Sequence, residues 1–172
     1  YWIGKAGSCG STRWRAAAGS GSCGLLQSKP HVWVLAGEKP GDNAQLLSLA
    51  SALGWPFEVK QLRFRAARSR FVTLAGREQF PLDKAATSPL AAPWPDLVLG
   101  CGQRSVAVAL RIRRQAGRST RLVWLGRPRV DLDRFDLVLT TPQYRVPEHR
   151  NVVHLSLPLH SVDRDAWDRA AA

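Results

Sequence analysis

Three stretches of this chain carry side chains that could do chemistry, and each lies where an apolar run gives way to turn residues. Gly37-Glu-Lys-Pro-Gly-Asp-Asn43 sets Lys39, Asp42 and Asn43 around Gly41. It has neither the Gly-Lys-Ser/Thr ending of a P-loop nor the spacing of GxGxxG. The same residues would also serve a tight strand-to-helix turn capped by Asp42, because turn and binding residues share types. Gly100-Cys-Gly-Gln-Arg-Ser105 is a GxGxxS, in which Gly102, Gln103 and Arg104 open a helix whose N-terminus could hold a phosphate. A dinucleotide fingerprint asks for an acid about twenty residues later. Leu125-Gly-Arg127 stands there instead, and its arginine could meet a 2′-phosphate, which leaves an NADP site open. Arg127-Pro-Arg129, followed by Asp131 and Asp133, could clamp an anion with its forked guanidiniums or form a solvated basic loop.

Other reactive residues are isolated. Cys101 has no base beside it in sequence and reads as a small packed thiol. His160 follows Leu155-Ser-Leu-Pro-Leu159, where the chain leaves the domain, and is a general-base candidate on that ground. The three cysteines, at 9, 23 and 101, form no CxxC and no Cys/His pair at zinc spacing, so no metal is expected, and no cofactor is assigned. Their odd number fits a reducing cytosol.

The elements that must position these loops are legible from period and punctuation. His31–Ala36 is a buried strand, and Leu46, Leu49, Ala50 and Leu53 mark one face of a helix that Gly54 and Pro56 stop. Asp42 is expected at its N-cap, with Gln45 completing a capping box. Phe57–Leu62 alternates as a second strand. Arg63–Pro95 is irregular, with a short strand expected at Phe71–Leu74 and a short helix near Leu82–Leu90. Asp96–Gly100, Arg121–Leu125, Phe135–Leu139 and Asn151–Leu155 read as further strands, and Gln103–Ala116 as a helix. Alternation at this spacing predicts an α/β fold, a Rossmann-like three-layer α/β/α domain with a mostly parallel sheet.

Length and charge set the outer bounds. With 172 residues the chain makes one domain, over residues 30–160. Residues 1–29, rich in Gly, Ser and Ala, read as a poorly ordered leader, and 161–172 as the start of a truncated inter-domain helix. The absence of methionine fits a trimmed or partial chain. A net charge of +12 invites an anionic partner, such as a phosphate-bearing ligand or an acidic membrane surface. The arginines are spread along the chain rather than forming one block with interleaved aromatics, which argues against nucleic acid. No apolar run is long enough to span a bilayer, and the first thirty residues lack a signal-peptide core. A cytoplasmic protein, peripheral at most to the inner membrane, is expected.

Five motifs in order give a family resemblance. They are Gly37–Asn43 with Gln45, Pro95–Arg104, Leu125–Arg129, Phe135–Tyr144 and Asn151–His160. With them the chain resembles the bacterial branch of the mitochondrial-fission "elongated mitochondria" family, whose members look like glycosyltransferases. The resemblance implies the N-terminal, acceptor-side half of a GT-B-like fold, with most nucleotide-sugar contacts in a second half. It implies transfer of a sugar from a nucleotide-sugar donor to a hydroxyl acceptor, without a metal. Gly41, Asp42 and Asn43 would then shape the acceptor pocket. Gln103 and Arg104 would border it, Lys39, Gly102, Arg127 and Arg129 would add substrate contacts, and Asp42 or His160 would take the acceptor proton. A non-catalytic adaptor, the role associated with the plant branch, and an NADP-binding epimerase-like protein are the alternatives.

Overall fold

The structure, a computed structural model, describes residues 29–65 and 82–159. Six strands and two helices follow one another as β1 (Val32–Ala36), α1 (Pro40–Leu53), β2 (Phe57–Gln61), β3 (Leu97–Cys101), α2 (Gln103–Gln115), β4 (Arg121–Leu125), β5 (Leu137–Thr140) and β6 (Val152–His154). All six strands pair in parallel, in the order β2-β1-β3-β4-β5-β6.

Burial on both faces explains the continuous apolar strands. Trp33, Leu35, Val98, Leu122, Trp124 and Val138 face α2 and pack with Val106, Ala109 and Ile112. The alternate residues Val32, Val34, Leu99 and Leu125 face the other way and meet Leu46 and Ala50 of α1. The two helices therefore cover opposite faces, as the three-layer expectation requires. The chain steps outward from β1 to β2, then returns past β1 to β3. This reversal places β1 and β3 side by side with loops leaving toward opposite faces, which opens a crevice at their carboxyl ends. The register (Ala36 beside Gln61, Leu35 beside Gly100, Cys101 beside Leu125) aligns those ends along one edge.

Three expectations change in detail. Helix α1 begins at Pro40, with Lys39 at the N-cap, so Asp42 lies in the first turn and neither caps the helix nor forms a box with Gln45. Proline is pre-organised for the first helical position and sets the start three residues early. Near Leu82–Leu90 there is a turn, with Ala86 and Thr87 N–H groups donating to the Asp83 carbonyl. The hydroxyls of Thr87 and Ser88 accept from the backbone N–H groups of Arg63 and Gln61, binding this stretch along β2 instead of letting it coil. Strand β5 starts at Leu137, not Phe135. The Asp136 carboxylate accepts from the Leu122 N–H, while Phe135 turns into the core, its ring 5.2 Å from that of Trp124. The strand expected at Phe71–Leu74 lies outside the described residues.

Candidate functional site at the carboxyl edge of the sheet

Loop β1–α1 is shaped by Asn43. Its Oδ1 accepts from the Gly37 N–H at 2.9 Å and its Nδ2 donates to the Gly37 carbonyl at 3.0 Å. One amide side chain thus satisfies both backbone groups of the residue that ends the strand, and folds the loop back over the helix start. Loop β3–α2 turns at Gly102, whose φ of +77° is a conformation that residues with a Cβ rarely adopt. Helix α2 starts directly after it with no side-chain cap, so its first N–H groups are left to solvent or a ligand.

The two loops meet across the β1/β3 boundary. Arg104 Nη1 lies 3.3 Å from Glu38 Oε2, and a Cβ built on Gly102 would lie 3.9 Å from Asp42 Oδ2. Between them is a cavity of about 470 Å³. Gly37, Glu38 and Lys39 line it from one loop, with Asp42 and Asn43 from α1; Cys101 and Gly102 face them from the other. Gln103, Arg104 and Ser105 complete its rim, and Phe64 gives it an apolar wall. Its charged lining is balanced, two cations against two carboxylates. The size and the mix of one aromatic wall with a few convergent polar groups are those of a small-molecule site.

Asp42, Cys101 and Tyr144 interact electrically. Burial pushes the Cys101 thiol from 9.0 up to about 12, and the charge of Asp42, to which the thiol hydrogen-bonds, pushes it the same way. Cys101 is therefore a protonated donor to the Asp42 carboxylate, which also sits in the favourable first turn of α1. The Tyr144 phenol is raised as well, first by burial and then by Cys101 and Asp42. Its ring lies against Gly126, where a Cβ would come within 3.4 Å of it.

Of the residues singled out in sequence, Lys39, Asp42, Asn43, Gly102, Gln103 and Arg104 come together in this cavity. Gly41 is exposed on α1 and is not among the lining residues. Arg127 and Arg129 line a second cavity, of about 690 Å³, at the ends of β4 and β5. His160 lies outside the described residues. Sequence reasoning named the loops that hold Glu38 and Tyr144 without giving either residue a role, and missed Phe64 as a member of the edge. Phe64 continues the alternation of β2 past its end, which was a signal; the other two had none that separates them from ordinary loop residues.

The structure also explains the partial dinucleotide fingerprint. A Cβ on Gly100 would fall 2.4 Å from Trp124 Cζ3, so that glycine is required by core packing, and Gly102 is required by its backbone angle. Neither needs a pyrophosphate to account for it. Among the described residues no cluster of His, Cys, Asp or Glu could hold a metal ion.

A parallel, doubly wound sheet with a polar cavity at its topological switch point places this chain among the Rossmann-like α/β proteins. Within them it belongs to the Mitochondrial fission ELM1 family, whose profile matches residues 40–172. No curated protein and no solved structure matches the chain. No helix among the described residues is long and apolar enough to cross a membrane.

Proposed function

We propose that this chain is the acceptor-side half of a GT-B-like sugar transferase and that the switch-point cavity receives a hydroxyl-bearing acceptor. The observation that carries this reading is the Asp42 carboxylate on a cavity that an uncapped helix start and Phe64 also line. A charge-balanced, partly aromatic cavity suits a neutral, polyhydroxylated ligand better than a free anion. In the proposed reaction Asp42 accepts the acceptor's hydroxyl proton as the oxygen attacks the anomeric carbon of a nucleotide sugar. The bond from that carbon to the phosphate oxygen breaks, and the nucleoside diphosphate leaves with the electron pair. The donor would be held by a second Rossmann-like half. A net charge of +12 suits work at the cytoplasmic face of an acidic membrane.

The test is a transfer assay on the full-length protein with UDP- and GDP-sugars, comparing wild type with Asp42→Asn. The expected outcome is a loss of turnover of about a hundredfold or more, with acceptor affinity nearly unchanged. Full activity in Asp42→Asn would remove the proposed base. A correctly folded protein that binds no nucleotide sugar at all would return the chain to the adaptor reading.

A further inference from the structure

We propose that the second cavity is an anion subsite, in which the guanidiniums of Arg127 and Arg129 hold a phosphoryl-type oxyanion. The cavity is lined by the turn Arg127–Leu132 and closed by Val146 and Pro147. Two cations and one carboxylate, Asp131, contribute its charge. That carboxylate is engaged: Asp131 Oδ1 accepts from the Asp133 N–H at 3.2 Å, at the start of the short 3₁₀ turn Leu132–Arg134.

Among the described residues the two arginines have no partner, while several others in the same molecule are matched. Arg104 is held by Glu38, Arg113 and Arg121 by Asp136, and Arg150 by Asp133. Among the described residues, neither Arg127 nor Arg129 has a hydrogen-bond or ion-pair partner. They are exposed, yet the turn that carries them is fixed. Pro128 between them is buried, and the Gly126 N–H donates to the Leu139 carbonyl at 2.8 Å. Arg129 itself is held at φ +53°, a conformation that costs a residue with a Cβ on the order of 1 kcal/mol or more. A rigid turn presenting two unpaired forks loses little entropy on closing around an oxyanion, which each fork can meet with two parallel hydrogen bonds.

This subsite stands apart from the transfer reading, and its test reads binding, not turnover. The isotope-labelled protein is titrated with inorganic phosphate at low salt, following amide and guanidinium NMR signals, alongside Arg127→Gln/Arg129→Gln and an Arg118→Gln control. Arg118 is an exposed arginine beyond the C-terminal end of α2, so its loss removes one positive charge, half of what the double variant removes, without touching either cavity. The expected result is saturable shifts centred on residues 127–131, with affinity about tenfold lower in the double variant and little changed in the control. Shifts spread over the surface, equal weakening by Arg118→Gln, or unchanged binding in the double variant would overturn the subsite. All three chains should melt together, since the substituted side chains are exposed. A second arm compares NADP with NAD, which differ by one phosphate. A preference for NADP that vanishes in the double variant supports the subsite and assigns the phosphoryl group to a nucleotide. Equal binding of the two, with phosphate still bound, supports it and assigns a smaller phosphate ester.

Discussion

The two cavities on the carboxyl edge of the sheet are built from similar parts and end with different electrostatics. Each follows a strand end, turns on a glycine with positive φ (Gly102 in one, Gly126 in the other) and carries arginine. In the first, Glu38 reaches across to Arg104, and Asp42 and Lys39 complete a neutral lining. In the second no carboxylate among the described residues pairs with Arg127 or Arg129, so positive charge remains there. Net basicity therefore says little about where an anion binds. On the proposed reading, what decides it is where the tertiary structure sets two unmatched guanidiniums on one fixed turn beside a cavity. Tyr144 stands at the boundary, its ring against Gly126 and its phenol raised by burial and by the Cys101–Asp42 pair.

The sharpest way to break this contrast is through Cys101. If burial and the Asp42 charge hold the Cys101 thiol protonated, alkylation of folded protein at about pH 8 will run roughly a thousandfold slower than in denaturant. Site-resolved mass spectrometry reads this without interference from Cys9 and Cys23. The sign of the linked stability follows from a folded-state pKa lying above the unfolded one. The contribution of the protonated thiol is complete below pH 9.0 and is lost as pH rises through about 12. A Cys101→Ser variant should lack that slope in denaturant titrations across the alkaline range. Rapid alkylation of the folded chain would mean that neither burial nor Asp42 suppresses the thiolate.

Gly100→Ala should cost about 1–3 kcal/mol, because a methyl 2.4 Å from the Trp124 ring forces that ring aside. Since Trp124 lies on β4, which leads into the arginine turn, the variant should disturb both cavities together. Chemical denaturation measures the loss, and unchanged stability would show that Trp124 has room to move.

Asn43→Ala acts on the first cavity alone. It removes both hydrogen bonds to Gly37 and should destabilise by about 1–2 kcal/mol, with amide exchange quickening in Gly37–Lys39 and not in residues 126–131. Equal quickening in both loops would mean that the two cavities are not independent.

The smallest effect expected on stability, and the finest discriminator, is Glu38→Gln. The Glu38–Arg104 pair is about half exposed on both sides, so its loss should change stability by less than about 1 kcal/mol. It should nevertheless free Arg104 and give the first cavity measurable phosphate affinity, visible in the same NMR titration. If phosphate still ignores that cavity, charge balance is not what separates the two sites.

Most of the framework was legible because local chemistry specifies it. The run from Val32 to Ala36, the glycines at 54 and 117 and the spacing within Gln103–Gln115 each mark their element without reference to the rest of the chain. Most of the errors fell where a distant group intervenes. Thr87 and Ser88 were drawn to β2 and Phe135 into the core, by partners that are not close in sequence, whereas the start of α1 was set locally, by Pro40.

The amino-acid order alone settled that this is a Rossmann-like α/β domain, because strand and helix periods and their punctuation are short-range properties. It also supplied the candidate loops, since polar residues between a strand and a helix must lie at a sheet edge. Only the tertiary structure decided that Asn43 and Arg104 share a cavity while Arg127 and Arg129 occupy another. That division depends on strand order and register, which place β3 beside β1 and send β4 one position further along the edge.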